Sequence, residues 1–421
     1  MAEVKPFCGL RFSPGAGKIN ELVCPPYDII SNDERTAFLS TNPHNVIRLE
    51  LPREGENVYD KAGEVLNSWL SDGILIKDPE PGFYIYEEEF EINGTRRSFK
   101  GIIARVRLTD FDEGVVIPHE NTLSAAKEDR FKLMCATNCN FSQIYCLFED
   151  GDKKISNRIS DAATNENAIY DFTDNENVTH RLWRTVNTAE TEALFKEKHL
   201  FIADGHHRYE TALRYRDLMR KNGADKDDAS EYVMMMLVPM ESEGLVVFPT
   251  HRIVHSLDSF SAEDLVLSCK EYFIVENAKS VGEIEDKLKD CYANGRTAFG
   301  LYCKNKYYLL ILKDELKLSN ILPGVDKTLR ELDVTVLHSL VLEKLLGIDK
   351  ENMAKQKNLT YTRSAKEAVQ AVDSGADCAF ILNPTRVSQI AEVGKAGQKM
   401  PQKSTYFYPK LITGLVMNII K

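Results

Sequence analysis

Apolar and polar residues outline the elements of this chain. Gly82–Ile92 and Arg97–Arg107, two runs carrying aromatic and β-branched residues on either side of Asn93-Gly94, predict a β-hairpin whose turn needs positive φ at both central residues. A 3.6-residue rhythm over Asp60–Leu70 predicts an amphipathic helix. Ser142–Phe148 reads as a strand, and the polar stretch 150–166 as a surface excursion or helix. Short strands are expected around Tyr170 and Leu182, near Met234–Met240 and over Gly244–Pro249, with the Met234-Met-Met236 run as buried strand. From about Ser259 helices and strands alternate: Ala262–Tyr272, Val281–Ala293 and Val334–Leu346 look helical, while Phe299–Cys303, Tyr307–Leu312 and Cys378–Leu382 look extended. The apolar end, Leu415–Ile420, reads as a strand that ties down the tail.

These patterns give an α+β fold with mixed sheets and flanking α/β regions. At 421 residues the chain exceeds one ordinary core, so more than one domain is expected. We divide it as 1–150, a mixed α/β region; 151–256, a central module; and 257–421, an α/β region whose tail returns to the central site.

Charge and cysteines narrow the function classes. A net charge of −11 speaks against general nucleic-acid binding. No apolar run approaches the ~18–20 residues of a membrane span, and the first residues have no apolar signal region, so no membrane role and a cytoplasmic location are expected. The nine cysteines are scattered, and Cys135, Cys139 and Cys146 lack paired zinc-site spacing. Cys8, Cys146, Cys303 and Cys378 read as small buried hydrophobes.

The strongest chemical signal is His199–Leu213. An apolar strand ends at Ala203, Asp204-Gly205 turns, and His206, His207 and Arg208 open a helix. Such a junction aims backbone N–H groups and a helix dipole at one spot, and the cations make it an anion site, most plausibly for phosphate. Gly205 lets backbone approach a ligand. Asp204 places one acid among the cations, to hold a metal or act as a base.

Polar clusters recur where strands should end: Cys24-Pro-Pro-Tyr-Asp28, Asn42-Pro-His44 with Arg48, Pro118-His-Glu120, Asp129-Arg130, Asn138 to Ser142, Pro249-Thr-His-Arg252, and Lys403-Ser-Thr405 with Lys410. Convergence of His44, Arg48, His119, Glu120, Arg130, His251, Arg252, Lys403 and Lys410 on the central motif would suit a polyphosphate with a metal, with His119, Arg130, Lys403, Ser404, Thr405 and Lys410 as contacts for substrate or phosphate. The chain has no Walker loop, no protein-kinase motif set and no Gly-x-Ser-x-Gly.

At Ala203-Asp-Gly-His-His-Arg208 the chain resembles the ParB/sulfiredoxin-like superfamily, and within it the free L-serine kinases. Sulfiredoxin's catalytic cysteine has no counterpart, since His206 and His207 occupy those positions. Over its length, on the clusters quoted above and on Met400–Gly414, the chain is similar to a bacterial and archaeal family long catalogued as domain of unknown function ten-fifteen.

The resemblance implies a nucleotide-dependent phosphotransferase forming O-phosphoserine from ATP or ADP. The nucleotide would be held by Gly205, His206, His207, Arg208 and Arg252. Mg²⁺ would sit at Asp204, and Glu120 or Asp204 would be the base. The remaining cations would take substrate or phosphate, and a homodimer is admitted. The alternative is a ParB-type nucleotide sensor without kinase activity.

Overall fold

In the computed structural model the described residues are all but Asn121 and Leu123. They form a mixed α+β protein of two compact units. Unit 1 is Met1–Pro118, Thr122–Val246 and Pro409–Lys421; unit 2 is His119–Asn121 and Val247–Tyr408. The unit boundaries fall inside the three segments drawn from the sequence.

Unit 1 is built on a nine-stranded sheet. Its main path runs Val116–Ile117, Leu200–Asp204, Ile144–Phe148, Tyr232–Pro239, Thr95–Arg107, Phe83–Ile92, Thr179–Thr185, Tyr170–Thr173, and Val4–Lys5 pairs beside Thr95–Arg107. The expected hairpin forms, with Asn93 and Gly94 both at positive φ (51° and 74°) and Ile92 opposite Thr95. The sheet is mixed: Tyr232–Pro239 runs parallel to Ile144–Phe148 and antiparallel to Thr95–Arg107. The Met234–Met236 run is fully buried in it.

Helix His206–Lys221 leaves the sheet at Asp204 and turns Tyr209, Ala212, Tyr215 and Met219 into the core with Ile202, Cys146 and Met235. The 150–166 stretch is helix Lys154–Asn165, held by its buried Ile155 and Ile159. The predicted Asp60–Leu70 helix spans Val58–Ser71. A second unit 1 core gathers Leu10, Leu22, Val46, Leu66, Trp69 and Met417. The tail strand is shorter than expected: Asn418–Ile419 pairs with Cys139–Asn140, while single bridges join Met417 to Leu10 and Thr413 to Cys24.

Unit 2 centres on a six-stranded antiparallel sheet, in order Phe273–Ala278, Lys306–Leu312, Ala298–Cys303, Cys378–Ile381, His251–Val254, Leu359–Thr362. Helices Val281–Ala293 and Ala365–Asp373 cover one face through Ile284, Leu288, Ala365 and Ala368. The helix expected over Val334–Leu346 begins as Asp333–Val336 and continues as π-helix over Leu337–Leu345. The strand expected over Gly244–Pro249 reduces to Val246–Val247. All nine cysteines are free thiols, and Cys8 is half-buried where a buried residue was expected.

Candidate anion sites of the two units

The sequence around residue 204 builds the unit 1 site directly. Ala203 ends a buried run, and the ladder shifts register between Ile202 and Asp204, so Asp204 lies opposite Tyr145. Gly205 then takes φ 97°, a left-handed conformation that glycine adopts without strain. A Cβ there would stand 2.9 Å from Nε and Nη2 of Arg208, because the Arg208 side chain folds back over the turn.

Arg208 Nη2 donates to Asp204 Oδ2 at 2.7 Å and Nη1 donates to the Gln143 carbonyl at 2.6 Å. Lys410 Nζ donates to Asp204 Oδ1 at 2.6 Å. Both Asp204 oxygens therefore carry a cation. Burial alone would raise the Asp204 carboxyl, but the Lys410 ammonium and the Arg208 guanidinium outweigh it and hold the group well below the usual carboxylate range. His206 is buried, and His207 half-buried, in the first turn of the helix. Arg208 Nε is buried without a hydrogen-bond partner among the described residues.

Beside this junction a cavity of about 40 Å³ is lined by Arg208, Arg130, Glu50, Ser142, Asn140 and Thr211, among others. Arg130 Nη1 donates to the Glu50 carbonyl at 2.6 Å, its Nη2 pairs with Asp129 at 2.6 Å, and its guanidinium lies 4.1 Å over the Tyr27 ring. Glu50 accepts from Ser142 Oγ at 3.0 Å. Burial raises the Glu50 carboxyl, with Arg130 and Arg208 opposing.

Of the residues singled out in the sequence, unit 1 brings together Asp204, Gly205, His206, His207, Arg208, Arg130 and Lys410. Glu50 was not foreseen: it shares the single helical turn Ile47–Glu50 with Arg48 of the Asn42–Arg48 cluster but was not among its candidates. Tyr27, within the proline loop, was visible as a candidate.

Unit 2 gathers the remaining candidates. His119 Nε2 meets Thr405 Oγ1 at 2.9 Å, and Glu120 Oε1 accepts from the Lys403 amide at 3.0 Å. Lys403 holds φ 57°, and Ser404 Oγ donates to the Pro401 carbonyl at 2.5 Å. Arg252, only 1% exposed, donates Nη2 to the Lys403 carbonyl at 3.1 Å, Nε to His338 Nε2 at 3.3 Å and Nη1 to the Thr250 carbonyl. Burial pulls the Arg252 guanidinium down to about 10. Burial and then the Arg252 charge hold His251 at about 4 and His338 far below its ordinary value, so both imidazoles are neutral at neutral pH.

The metal expectation does not fit. Mg²⁺ needs free carboxylate oxygens, and both oxygens of Asp204 are taken by cations. Among the described residues no group of three or more His, Cys, Asp or Glu is arranged to hold a metal ion. No helix among them is long and apolar enough to cross a membrane.

Fold and sites together define a mixed α+β protein with a cationic strand–helix junction in one unit and a buried guanidinium cluster in the other. The chain belongs to the family DUF1015, proteins of unknown function, whose profile matches residues 4–335. No curated protein is significantly similar to it.

Among solved structures it is similar to a free serine kinase variant in complex with ADP, at 14% identity and TM-score 0.37, covering 73% of this chain and 87% of that one. It is also similar to a conserved hypothetical protein from Pyrococcus furiosus (14% identity, TM-score 0.35, 74% and 92% covered) and to truncated SbnI from Staphylococcus aureus (10%, 0.35, 72% and 84%). Likeness at this level leaves residue roles to the geometry of this chain.

Proposed function

We propose that the protein is a nucleotide-dependent phosphotransferase that moves a phosphoryl group from ATP or ADP to the hydroxyl of a small amino acid, free L-serine first. The observation that carries this reading is the unit 1 junction. A turn without Cβ, the first amides of a 16-residue helix, and the side chains of Arg208, Lys410 and Arg130 cluster around one carboxylate and one small cavity. Phosphates are held by such cations and amides, and phosphoryl transfer depends chiefly on positioning and charge neutralisation. The resemblance of Ala203–Arg208 to a ParB/sulfiredoxin-like nucleotide motif supports the same assignment.

Asp204, locked between Lys410 and Arg208, serves in this reading to orient the two cations and not to take a proton. Of the acids expected as base, Glu120 is engaged by the Lys403 amide in unit 2. The acid lining the unit 1 cavity is Glu50. Its carboxyl, raised by burial, is nearer the range useful to a general base.

Titration calorimetry with ADP tests the phosphate site. Arg208→Lys keeps the charge but loses the two-pronged fork, and should weaken ADP by about tenfold. Unchanged ADP affinity in Arg208→Lys and Arg130→Lys would overturn the site. Nucleotide turnover that rises on adding free serine supports the kinase. Tight ADP binding with no serine-dependent turnover would instead establish the nucleotide-sensor reading.

A further inference from the structure

Unit 2 holds a cleft of about 730 Å³ that the phosphotransfer reading does not use. That volume is in the range of small-molecule sites, roughly 300–1,000 Å³. Five cationic side chains line it against four acids, and the distribution of their pairing is uneven. Arg296 faces Asp314 at 3.7 Å and Lys327 faces Glu331 at 3.8 Å. Arg330 and Arg386 make no ion pair among the described residues.

Arg386 is held in place by neutral groups. Its Nη2 donates to the Tyr292 carbonyl at 2.8 Å and its guanidinium lies 3.8 Å over the Tyr292 ring. It caps helix Val387–Lys395, whose first turn lines the cleft through Ser388 and Gln389. The Lys327–Arg330 turn packs against that helix, which brings Arg330 to the same cleft.

Asp333 sits in the wall between this cleft and an inner cavity of about 20 Å³ lined by Arg252, Thr250 and Ser404. Arg252 makes no ion pair either among the described residues, so the inner side also presents a guanidinium, with the Glu120 charge favouring its charged form. Burial pushes the Asp333 carboxyl up to about 7, against Thr297, Arg386 and Asn383, which favour its charged form. Near neutral pH that carboxyl carries its proton about half the time and can donate to an oxyanion or accept from a hydroxyl.

We propose that this cleft is a second ligand site, taking a small phosphomonoester whose phosphate is gripped by Arg330 and Arg386 and whose hydroxyl meets Asp333. Asp326 and Asp333 act on Arg330 and Arg386 without an ion pair to either among the described residues, so the N–H groups of the two guanidiniums can match a dianionic phosphate by paired N–H···O bonds. A cleft of this size leaves room for a few carbons beyond the phosphate. The site is independent of the nucleotide reading of unit 1.

Calorimetry on the full chain with glycerol 3-phosphate as probe, and malonate as the carboxylate counterpart, tests this. Glycerol 3-phosphate binds the wild type. Arg330→Gln/Arg386→Gln should weaken it by about tenfold or more, while Asp333→Asn, which removes a partial negative charge, should strengthen it by about two- to threefold. Arg208→Lys leaves this binding unchanged, so failure in unit 1 and failure here are told apart. ADP affinity and the melting temperature of the double variant report its fold; if it does not fold, Arg386→Lys alone must still weaken the probe. No binding to the wild type, binding indifferent to the Arg330 and Arg386 changes, or malonate binding as tightly would overturn the proposal.

Discussion

Arg208 and Arg252 are two arginines withdrawn from water that settle their charge differently. Arg208 sits on a carboxylate: Asp204 takes Arg208 on one oxygen and Lys410 on the other, and the trio retains a surplus of one positive charge. Arg252 has only neutral partners, two carbonyls and a neutral imidazole, with the Tyr361 ring 5.4 Å away. The first arrangement presents preorganised cations whose desolvation is offset by Asp204. The second has no carboxylate bonded to it among the described residues; burial pulls its guanidinium down to about 10, and the Glu120 charge opposes this only in part. Unit 1 is thus built around an ion-pair triad and unit 2 around hydrogen-bonded carbonyls, and loss of a single group should cost more in the first than in the second.

The largest effect is expected at the triad. Asp204→Asn leaves Arg208 and Lys410 without their shared anion and should cost about 3 kcal/mol in urea unfolding. Adding Lys410→Met to it should recover part of that loss. If Asp204→Asn is as stable as wild type, the triad does not hold unit 1 together as described.

Arg252→Leu removes a cation that no carboxylate needs, and leaves two carbonyls and His338 to be satisfied. A loss of about 1–2 kcal/mol is expected, less than at Asp204. An equal or larger loss would erase the contrast between the two arginines.

At the turn, Gly205→Ala imposes a strained φ and pushes against the Arg208 guanidinium, for a cost of about 1–2 kcal/mol. Because the added methyl meets Arg208 itself, ADP affinity should fall with it, whereas the glycerol 3-phosphate affinity of unit 2 should not change.

A further contrast is a pH dependence in unit 1, away from both arginines. Glu88 is fully buried, accepts from Tyr86 at 2.7 Å, and burial pushes its carboxyl up to about 8, with Tyr86 opposing and Asp174 adding to the rise. His180 links Tyr86 at 2.8 Å to Asp174 at 3.0 Å. Since the folded value lies above the unfolded one, the stability Glu88 contributes is complete below about pH 4, the unfolded range, and is lost as pH rises through about 8. Glu88→Gln should therefore raise the melting temperature more at about pH 8 than at about pH 5. The same gain at both would show that Glu88 is not the titrating group.

Much of the local structure was legible. The Asn93-Gly94 hairpin, the Val58–Ser71 helix and the strand–turn–helix at Asp204 follow from strand-forming composition, helical rhythm and turn chemistry, all of which act over a few residues. The run Tyr86-Glu-Glu-Glu89 shows the limit. Its acids look solvated in one dimension, yet Glu88 is sealed in because its strand is interior and His180 lies opposite. Glu50 was missed for a like reason: it lies just beyond the Asn42–Arg48 cluster with nothing to single it out, and Ser142 and Arg130, some 80–90 residues on, make it part of a cavity.

By itself the sequence determined the chemistry on offer: a cationic junction at Asp204–Arg208, an α+β alternation, and polar clusters at strand ends. These are properties of neighbouring residues, where backbone sterics and side-chain type act directly. Tertiary structure alone decided which clusters meet. It sent Lys410 to Asp204 within unit 1, and Lys403 to Arg252 and Glu120 within unit 2, although the two lysines are seven residues apart. Burial did the rest: how far each side chain is withdrawn from water, and which opposite charge it finds there, set the protonation of Asp204, Glu88 and Asp333, and neither quantity is a property of a residue and its sequence neighbours.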